Sequence, residues 1–291
     1  MSPTRAPPRG RNTEYKAQVL FVNGHTPGII ARMAGFSASE KMKIENAAPG
    51  ALFFDETGST NAVLREMGKN GAREGTVALA DRQTAGRGRM GRRWVSPGGG
   101  NLFMSALFRP RVRFSLCPAA TFMASLALSE TFEAMGAETE IKWPNDILAR
   151  GGKLAGVLSE AEPEGEMCGF IVIGIGVNLN LAPARKRGLM DGFERPAVSL
   201  GEILGRDINR GDFAAALIKN LFARRRDWTE KGGDRTVERW AERWGKLNGR
   251  VTVRDGGEEI TGIARKVDAR GFLHIETADG ELVKIVSGDA L

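Results

Sequence analysis

Residues 81–101 read DRQTAGRGRMGRRWVSPGGGN, which sets four guanidinium groups, Arg87, Arg89, Arg92 and Arg93, among glycines. Alternating Gly and Arg lets backbone N–H groups and guanidinium forks converge on phosphate or carboxylate oxygens. On its own the stretch fits a mobile lid over an anion, and it fits equally a solvated basic loop or an RNA-binding Gly/Arg segment. Gly86, Gly88 and Gly91 also match G-x-G-x-x-G formally. That dinucleotide reading fails, because the fingerprint needs a helix opening in the loop and an acidic residue about 20 positions on. Here Arg92-Arg93-Trp94 runs into Pro97 and three glycines, which cannot start a helix.

Three further segments carry groups suited to chemistry. Lys142-Trp143-Pro144-Asn145-Asp146 and, shortly after, Lys153-Leu154-Ala155-Gly156 bring a cation, an anion and a second cation to one rim of a sheet. A lone lysine such as Lys153 in an apolar strand is more often a snorkelling edge residue. Ser59-Thr60-Asn61, after Glu56-Thr57-Gly58, looks first like a helix N-cap, although hydroxyl and amide groups also suit an uncharged ureido or amide ligand. Gly174-Ile175-Gly176-Val177-Asn178 ends a β-branched run, where glycine permits close backbone approach and Asn178 can close a polar pocket; a plain strand exit fits as well.

Composition narrows the chemistry. The 291 residues include 42 Lys+Arg against 35 Asp+Glu, for a formal charge of +7, with 38 Gly but only 2 His and 2 Cys. His25, Cys117, Cys168 and His274 are too few and too scattered for an imidazole and thiolate zinc site, so no metal ligands are assigned. Neither histidine sits in a triad-like motif, and two cysteines exclude a disulfide framework. The surplus of arginine points to anionic partners, either nucleic acid or small phosphorylated compounds. Neither a secretion signal nor a run of about 18 apolar residues is visible, so the expectation is a cytoplasmic protein with no membrane segment.

The elements that must hold these groups alternate quickly. Strands are predicted at 51–57, 76–82, 101–108, 140–143, 153–160 and 169–180, with helices entered at Ser59 or Thr60 and spanning 119–135, the latter stopped by Gly136. Asp212 is expected to cap a helix carrying Phe213, Leu217 and Leu221. Asp234 is expected to start another, with Val237, Trp240, Ala241 and Trp244 on one stripe and Gly245 as stop. Short strands with tight turns argue for an α+β fold, a mixed but largely antiparallel sheet with packed helices. From 247 to 291 the strands VTV, EITGIARKV, FLHIE and ELVKIV predict a small C-terminal antiparallel β-barrel leaning on the larger domain at 50–246. Residues 1–49 form an extension with a disordered Pro/Arg-rich start and a short strand at 18–22; the remainder has no steady period and no assigned element.

Taken together the segments resemble biotin protein ligase. The matching residues are Ser59-Thr60-Asn61, Gln83-Thr84-Ala85-Gly86-Arg87-Gly88-Arg89 with Gly91-Arg92 and Trp94, KWPND at 142–146, Lys153 with Gly156, and GIGVN at 174–178, in the family's order from about 51 to 181. Met90 departs from the pattern, standing where a third arginine of the loop is common. The residues before 50 are too few and too irregular for the winged-helix DNA-binding domain that some members carry.

The resemblance implies a class II synthetase-like catalytic domain that activates biotin with ATP, accompanied by Mg²⁺, to biotinyl-5′-adenylate and pyrophosphate. It then transfers biotin to a lysine of a biotin carboxyl carrier protein; DNA is not a partner, and a homodimer is compatible. It places Ser59, Thr60, Asn61, Gln83, Gly86, Arg87, Gly88, Arg89, Lys153 and Gly156 around biotin. Arg89, Arg92, Trp94, Lys142, Asn145, Lys153 and Asn178 would meet the nucleotide. Lys153, Arg89, Asp146 and Lys142 are the implied catalytic groups. A carboxylate and an amine are already competent nucleophiles, so the scarcity of histidine is no obstacle. Two competitors remain: a lipoate or octanoate ligase or transferase of the same fold, and a nucleic-acid-binding module using Arg224-Arg225-Arg226. The STN and GRGR pairing without a motif histidine disfavours the first.

Overall fold

Helix α2 (Thr60–Lys69) links strand β1 (Leu52–Thr57) to its parallel neighbour β2 (Val77–Gln83), and every other pairing in the sheet is antiparallel. These belong to a computed structural model that describes residues 35–95, 99–181, 195–255 and 257–291. The other strands are β3 (Leu102–Phe108), β4 (Glu140–Lys142), β5 (Asp146–Ala149), β6 (Gly152–Glu164) and β7 (Met167–Val177), in the order β1-β2-β3-β7-β6-β5-β4. The expected mixed, largely antiparallel sheet is thus present. Its central strands β3 and β7 are apolar along almost their whole length because both of their faces are covered.

Helix α3 (Ala119–Ala134) packs on one face; it is apolar on nearly all sides and buried accordingly, and the chain turns out of it at Gly136 with φ 87°. Helix α5 (Arg210–Lys231) lies against α3 and buries Phe213, Leu217, Leu221 and Trp228. Its cap is Asn209, whose side chain accepts the Asp212 N–H at 3.0 Å, so the helix opens a turn earlier than the Asp212 cap predicts. Helix α6 (Gly233–Trp244) buries the anticipated Val237, Trp240, Ala241 and Trp244 and stops at Gly245 in the left-handed conformation. A short helix α4 (Leu200–Leu204), capped by Ser199 and Glu202, was not expected.

Residues without an assigned element also form a helix, α1 (Ala38–Ala47), opened by a capping box between Ser37 and Glu40. The expected strand at 18–22 lies outside the described residues. Arg210 ties α1 to the core: its guanidinium pairs with Asp81 of β2, donates to Gly35 O at 2.9 Å, and stacks 4.3 Å from the Phe36 ring centroid. Gly211 lets α1 approach α5, since a Cβ there would stand 2.6 Å from Glu40 Cα. Gly211→Ala is therefore expected to lose about 1–3 kcal/mol through overpacking. Chemical denaturation reads this directly, and an unchanged midpoint would disprove it.

The C-terminal strands β8 (Arg250–Asp255), β9 (Glu258–Val267), β10 (Leu273–Glu276), β11 (Leu282–Ile285) and β12 (Asp289–Ala290) form an antiparallel sheet in the order β11-β10-β9-β8-β12. This corrects the expected barrel. The sheet stays open because β12 has only two residues, pairs with β8, and leaves β11 at the opposite edge. Closure is unnecessary, since Val251, Val253, Leu273, Ile275 and Ile285 are buried in the same core as Phe122, Trp143 and Trp240. Trp143 clamps the seam by donating its indole N–H to Gly271 O at 3.3 Å.

Candidate active site

One face of the sheet is opened by glycines. Gly156 of β6 and Gly176 of β7 are direct cross-strand partners, and a Cβ on either would run into Trp94, at 2.9 Å and 2.6 Å respectively. The indole lies in the slot they leave, and its Nε1–H is buried with no hydrogen-bond partner among the described residues. Gly174, two positions before Gly176 and so on the same face, would place a Cβ 2.1 Å from Asn61 Oδ1. These glycines set how deep the adjoining cavity can be.

At one end of that cavity the polar groups carried by α2 and β2 are uncharged hydroxyls and amides, with the Glu160 carboxylate behind them. Ser59 heads α2 without a side-chain cap bond, which removes the simple N-cap explanation for Ser59-Thr60-Asn61. Gln83 takes over: its Oε1 accepts the Thr60 N–H at 2.8 Å and lies 3.2 Å from Thr60 Oγ1. The Ser105 hydroxyl sits 2.7 Å from Thr60 Oγ1 and 2.6 Å from Asn61 Oδ1. Asn61 Nδ2 donates to Leu158 O at 3.2 Å and to Glu160 Oε2 at 2.8 Å. With both amide protons committed, Asn61 can offer a ligand only an oxygen lone pair.

The opposite end is cationic. Strand β6 presents Lys153, whose Nζ is 2.8 Å from Asp146 Oδ1 and 5.4 Å from the Trp94 ring centroid. Asn145 and Asn178 act as braces: Asn145 Nδ2 donates to Val157 O at 2.8 Å and Asn178 Nδ2 to Lys153 O at 3.1 Å. The Gly/Arg segment is a closed hairpin, with Trp94 N–H on Gly86 O at 3.0 Å and Gly88 N–H on Arg92 O at 2.7 Å. Met90 takes the left-handed conformation at its tip, with φ 54°, and is exposed. Its side chain does not line the cavity.

The arginines of the hairpin are spoken for in distinct ways. Arg87 Nη2 is 2.9 Å from Glu160 Oε2, and Arg93 donates to Thr84 O at 3.4 Å. Arg92 Nη2 reaches Asp289 Oδ2 at 2.8 Å. Arg89 donates to Gly288 O at 3.2 Å and to Asn145 Oδ1 at 3.4 Å, and is 3.7 Å from Asp289 Oδ1. Burial is the main cause that holds the Arg89 guanidinium below its ordinary pKa, with Asp289 pushing the other way and Arg92 adding to the fall. A bound anion would relieve that cost. Asp289→Ala should free the hairpin from the C-terminal sheet, so trypsin is expected to cut between Arg87 and Arg93 several-fold faster in the variant. Equal cleavage rates would show that the carboxylate does not hold the hairpin.

Of the residues anticipated from sequence, Ser59, Thr60, Asn61, Gln83, Arg87, Gly88, Arg89, Arg92, Trp94, Asn145, Asp146, Lys153, Gly156 and Asn178 all line this one cavity. Gly86 and Lys142 do not: Gly86 spends its carbonyl on Trp94, and Lys142 is the backbone register partner of Asp146 across β4 and β5 without itself lining the cavity. Met104, Leu158, Gly174, Gly176, Arg195 and Asp289 also line it but were not among the assigned site residues, while Ser105 and Glu160 act behind it. Ser105 had a local signal as the one polar side chain inside an apolar strand, and Gly174 and Gly176 had theirs in the GIGVN run. Arg224 and Arg225 lie elsewhere, paired with Glu130 and Asp227 and with Glu74.

An uncharged polar end joined to a cationic end in one cavity can take a compound that carries a polar, uncharged group and an anionic one. The model of the Biotin/lipoate A/B protein ligase family matches residues 53–178, and that of the Biotin protein ligase C terminal domain matches 246–291. The chain is 33% identical over 283 residues to the bifunctional ligase/repressor BirA of Bacillus subtilis, covering 96% of this chain and 85% of that protein. It is 34% identical over 244 residues to the biotin–[acetyl-CoA-carboxylase] ligase of Mycobacterium tuberculosis, covering 81% and 86%. The Aquifex aeolicus biotin protein ligase solved with biotin and ATP superposes with a TM-score of 0.65 at 26% identity, covering 83% of this chain and 98% of that one. The chain belongs to the biotin protein ligase family.

Proposed function

We propose that this chain condenses biotin with ATP to biotinyl-5′-adenylate and then transfers the biotinyl group to a lysine of a biotin carboxyl carrier domain. The observation that carries the reading is the two-ended cavity: Thr60, Asn61 and Gln83 at the uncharged end suit the ureido ring, and Lys153 with Arg87, Arg89 and Arg92 suits a carboxylate beside phosphates. An apolar acyl tail such as lipoate would leave the uncharged polar groups without partners, which is costly in a closed site.

In the first step a biotin carboxylate oxygen attacks the α-phosphorus of ATP, and the bond to the β-phosphate oxygen breaks, releasing pyrophosphate. Lys153 exchanges Asp146 for the α-phosphate and offsets the charge that builds there. Arg89 and Arg92 likewise exchange Asp289 for phosphate oxygens. In the second step the acceptor amine attacks the acyl carbon and AMP leaves. Asp146, released from Lys153, orients that amine. Mg²⁺ would enter with ATP, neutralising phosphate charge, since a magnesium–phosphate complex needs few protein ligands. The hairpin over Trp94 keeps water from the acyl-adenylate.

The setting is the cytoplasm: Cys117 and Cys168 are free and buried, which suits a reducing compartment, and no helix among the described residues is long and apolar enough to cross a membrane. The test is biotin-dependent exchange of labelled pyrophosphate into ATP, with lipoate in parallel. Exchange with biotin alone is the expected result. Exchange with lipoate alone, or with neither acid, would overturn the reading.

A further inference from the structure

The cavity wall contains a cation that no motif announced. Arg195 precedes a strap, Pro196–Val198, that runs alongside the start of β6: Lys153 N–H donates to Pro196 O at 2.8 Å and Val198 N–H to Lys153 O at 3.1 Å. Gly152 makes the approach possible, since a Cβ there would stand 2.9 Å from Pro196 O. Asn178 closes the same corner, donating its N–H to Leu154 O and its side-chain amide to Lys153 O. The strap is therefore bonded to the backbone of Lys153 on both sides, and Arg195 at its head lines the same cavity as Lys153.

Its electrostatic situation differs from that of the other cations there. Lys153 is matched by Asp146, Arg89 and Arg92 by Asp289, and Arg87 by Glu160. Arg195 lines the cavity half-buried, and no carboxylate among the described residues pairs with it. A structural arginine in such a place is normally paired or hydrogen-bonded, as Arg210 and Arg224 are here. A guanidinium with no carboxylate partner among the described residues, facing a basic cavity, adds repulsion with Lys153 and the hairpin, a cost that an incoming anion removes. The planar fork suits bidentate capture of phosphate oxygens.

We propose that Arg195 is a further phosphate-binding residue, gripping the triphosphate of ATP from the Lys153 side. The assignment rests on the biotin ligase reading, and it concerns the nucleotide alone. It predicts a split between the two substrates: Arg195 should matter to ATP and hardly at all to biotin.

The experiment compares wild type, Arg195→Ala and Arg195→Lys. Binding of a non-hydrolysable ATP analogue with Mg²⁺ and of biotin is measured by calorimetry, the KM for ATP by pyrophosphate exchange, and folding by thermal unfolding. In Arg195→Ala the analogue Kd and the KM for ATP are expected to rise about tenfold or more, as for loss of a charge-assisted hydrogen bond. Biotin Kd should stay within about twofold of wild type, where losing a group that binds only ATP leaves it. The unfolding midpoint should hold, and lysine should restore only part of the affinity because it lacks the fork. Unchanged analogue binding in folded Arg195→Ala would overturn the assignment, as would equal losses for biotin and the analogue. A wild-type protein that binds the analogue but neither binds biotin nor exchanges pyrophosphate would instead count against the ligase reading, so the two failures separate cleanly.

Discussion

Lys153→Ala is expected to fold normally and to lose two to three orders of magnitude in biotin-dependent pyrophosphate exchange. Lys153 is the cation on the sheet itself rather than on the hairpin, fixed through its backbone by Pro196, Val198 and Asn178 and through its side chain by Asp146 at 2.8 Å. Such a group needs little reorganisation when charge develops on the α-phosphate, and removing one preorganised contact of this kind costs about 2.7–4 kcal/mol in the transition state. Under the proposed reading biotin is held mainly by Thr60, Asn61 and Gln83, so biotin Kd should change far less than the exchange rate. The competing explanation, an edge lysine whose methylenes merely cover apolar surface, forecasts the reverse: a small loss of stability and a near-normal rate. Loss of the Asp146 partner could itself disturb the site, so Lys153→Ala/Asp146→Asn serves as the control. A full recovery of exchange in that double variant would assign the defect to the stranded carboxylate and sink the role given to Lys153.

The residues behind this forecast were legible in sequence because they are polar groups in places where local structure has no use for them. Lys153 interrupts an apolar strand, and Ser59-Thr60-Asn61 opens a helix that the Ser59 side chain turns out not to cap. The glycines of GIGVN mark the close approach of Asn61 and Trp94. What stayed hidden came from segments distant along the chain. Asp289 sits two residues from the C-terminus in a two-residue strand, and only the docking of the second sheet brings it to Arg89 and Arg92. Arg195 depends likewise on a strap whose pairing with Lys153 leaves no local periodic trace.

The same division holds for the fold. The long elements were readable because their burial follows their own period, as in α3 with its apolar circumference and α6 with its Val237, Trp240 and Trp244 stripe. Helix α1 was not, because among its own ten residues only Ile44 is buried; its order comes from a capping box and from Arg210 and Gly211 far along the chain. Strand β5 was missed because Pro144 and Asn145 read as a stop, whereas the chain turns there and pairs back at once through Ile141 and Ile147. Barrel closure could not be decided locally, since it depends on whether β11 and β12 meet, and they do not.

The second large effect is expected from a single methyl group. Gly174→Ala would place a Cβ 2.1 Å from Asn61 Oδ1, 2.8 Å from its Cγ and 2.9 Å from its Nδ2, so the side-chain amide must move. It has nowhere near to go, being held by Ser105 at 2.6 Å, Leu158 O at 3.2 Å and Glu160 at 2.8 Å. Displacing it breaks contacts whose loss is worth about 1–3 kcal/mol for each buried group left unpaired. It also shifts the start of α2, where Thr60 is bonded to Gln83. Biotin affinity is therefore expected to fall by about ten- to a hundredfold, with a loss of stability of about 1–3 kcal/mol from overpacking. ATP-analogue binding should hold, because Lys153, Asn145 and the hairpin are braced by other bonds. Calorimetry with each ligand, below the unfolding midpoint of the variant, separates the outcomes. Wild-type biotin affinity in folded Gly174→Ala would mean that Asn61 is not part of the biotin end of the cavity, and an equal loss for both ligands would mean that the two ends are not independent.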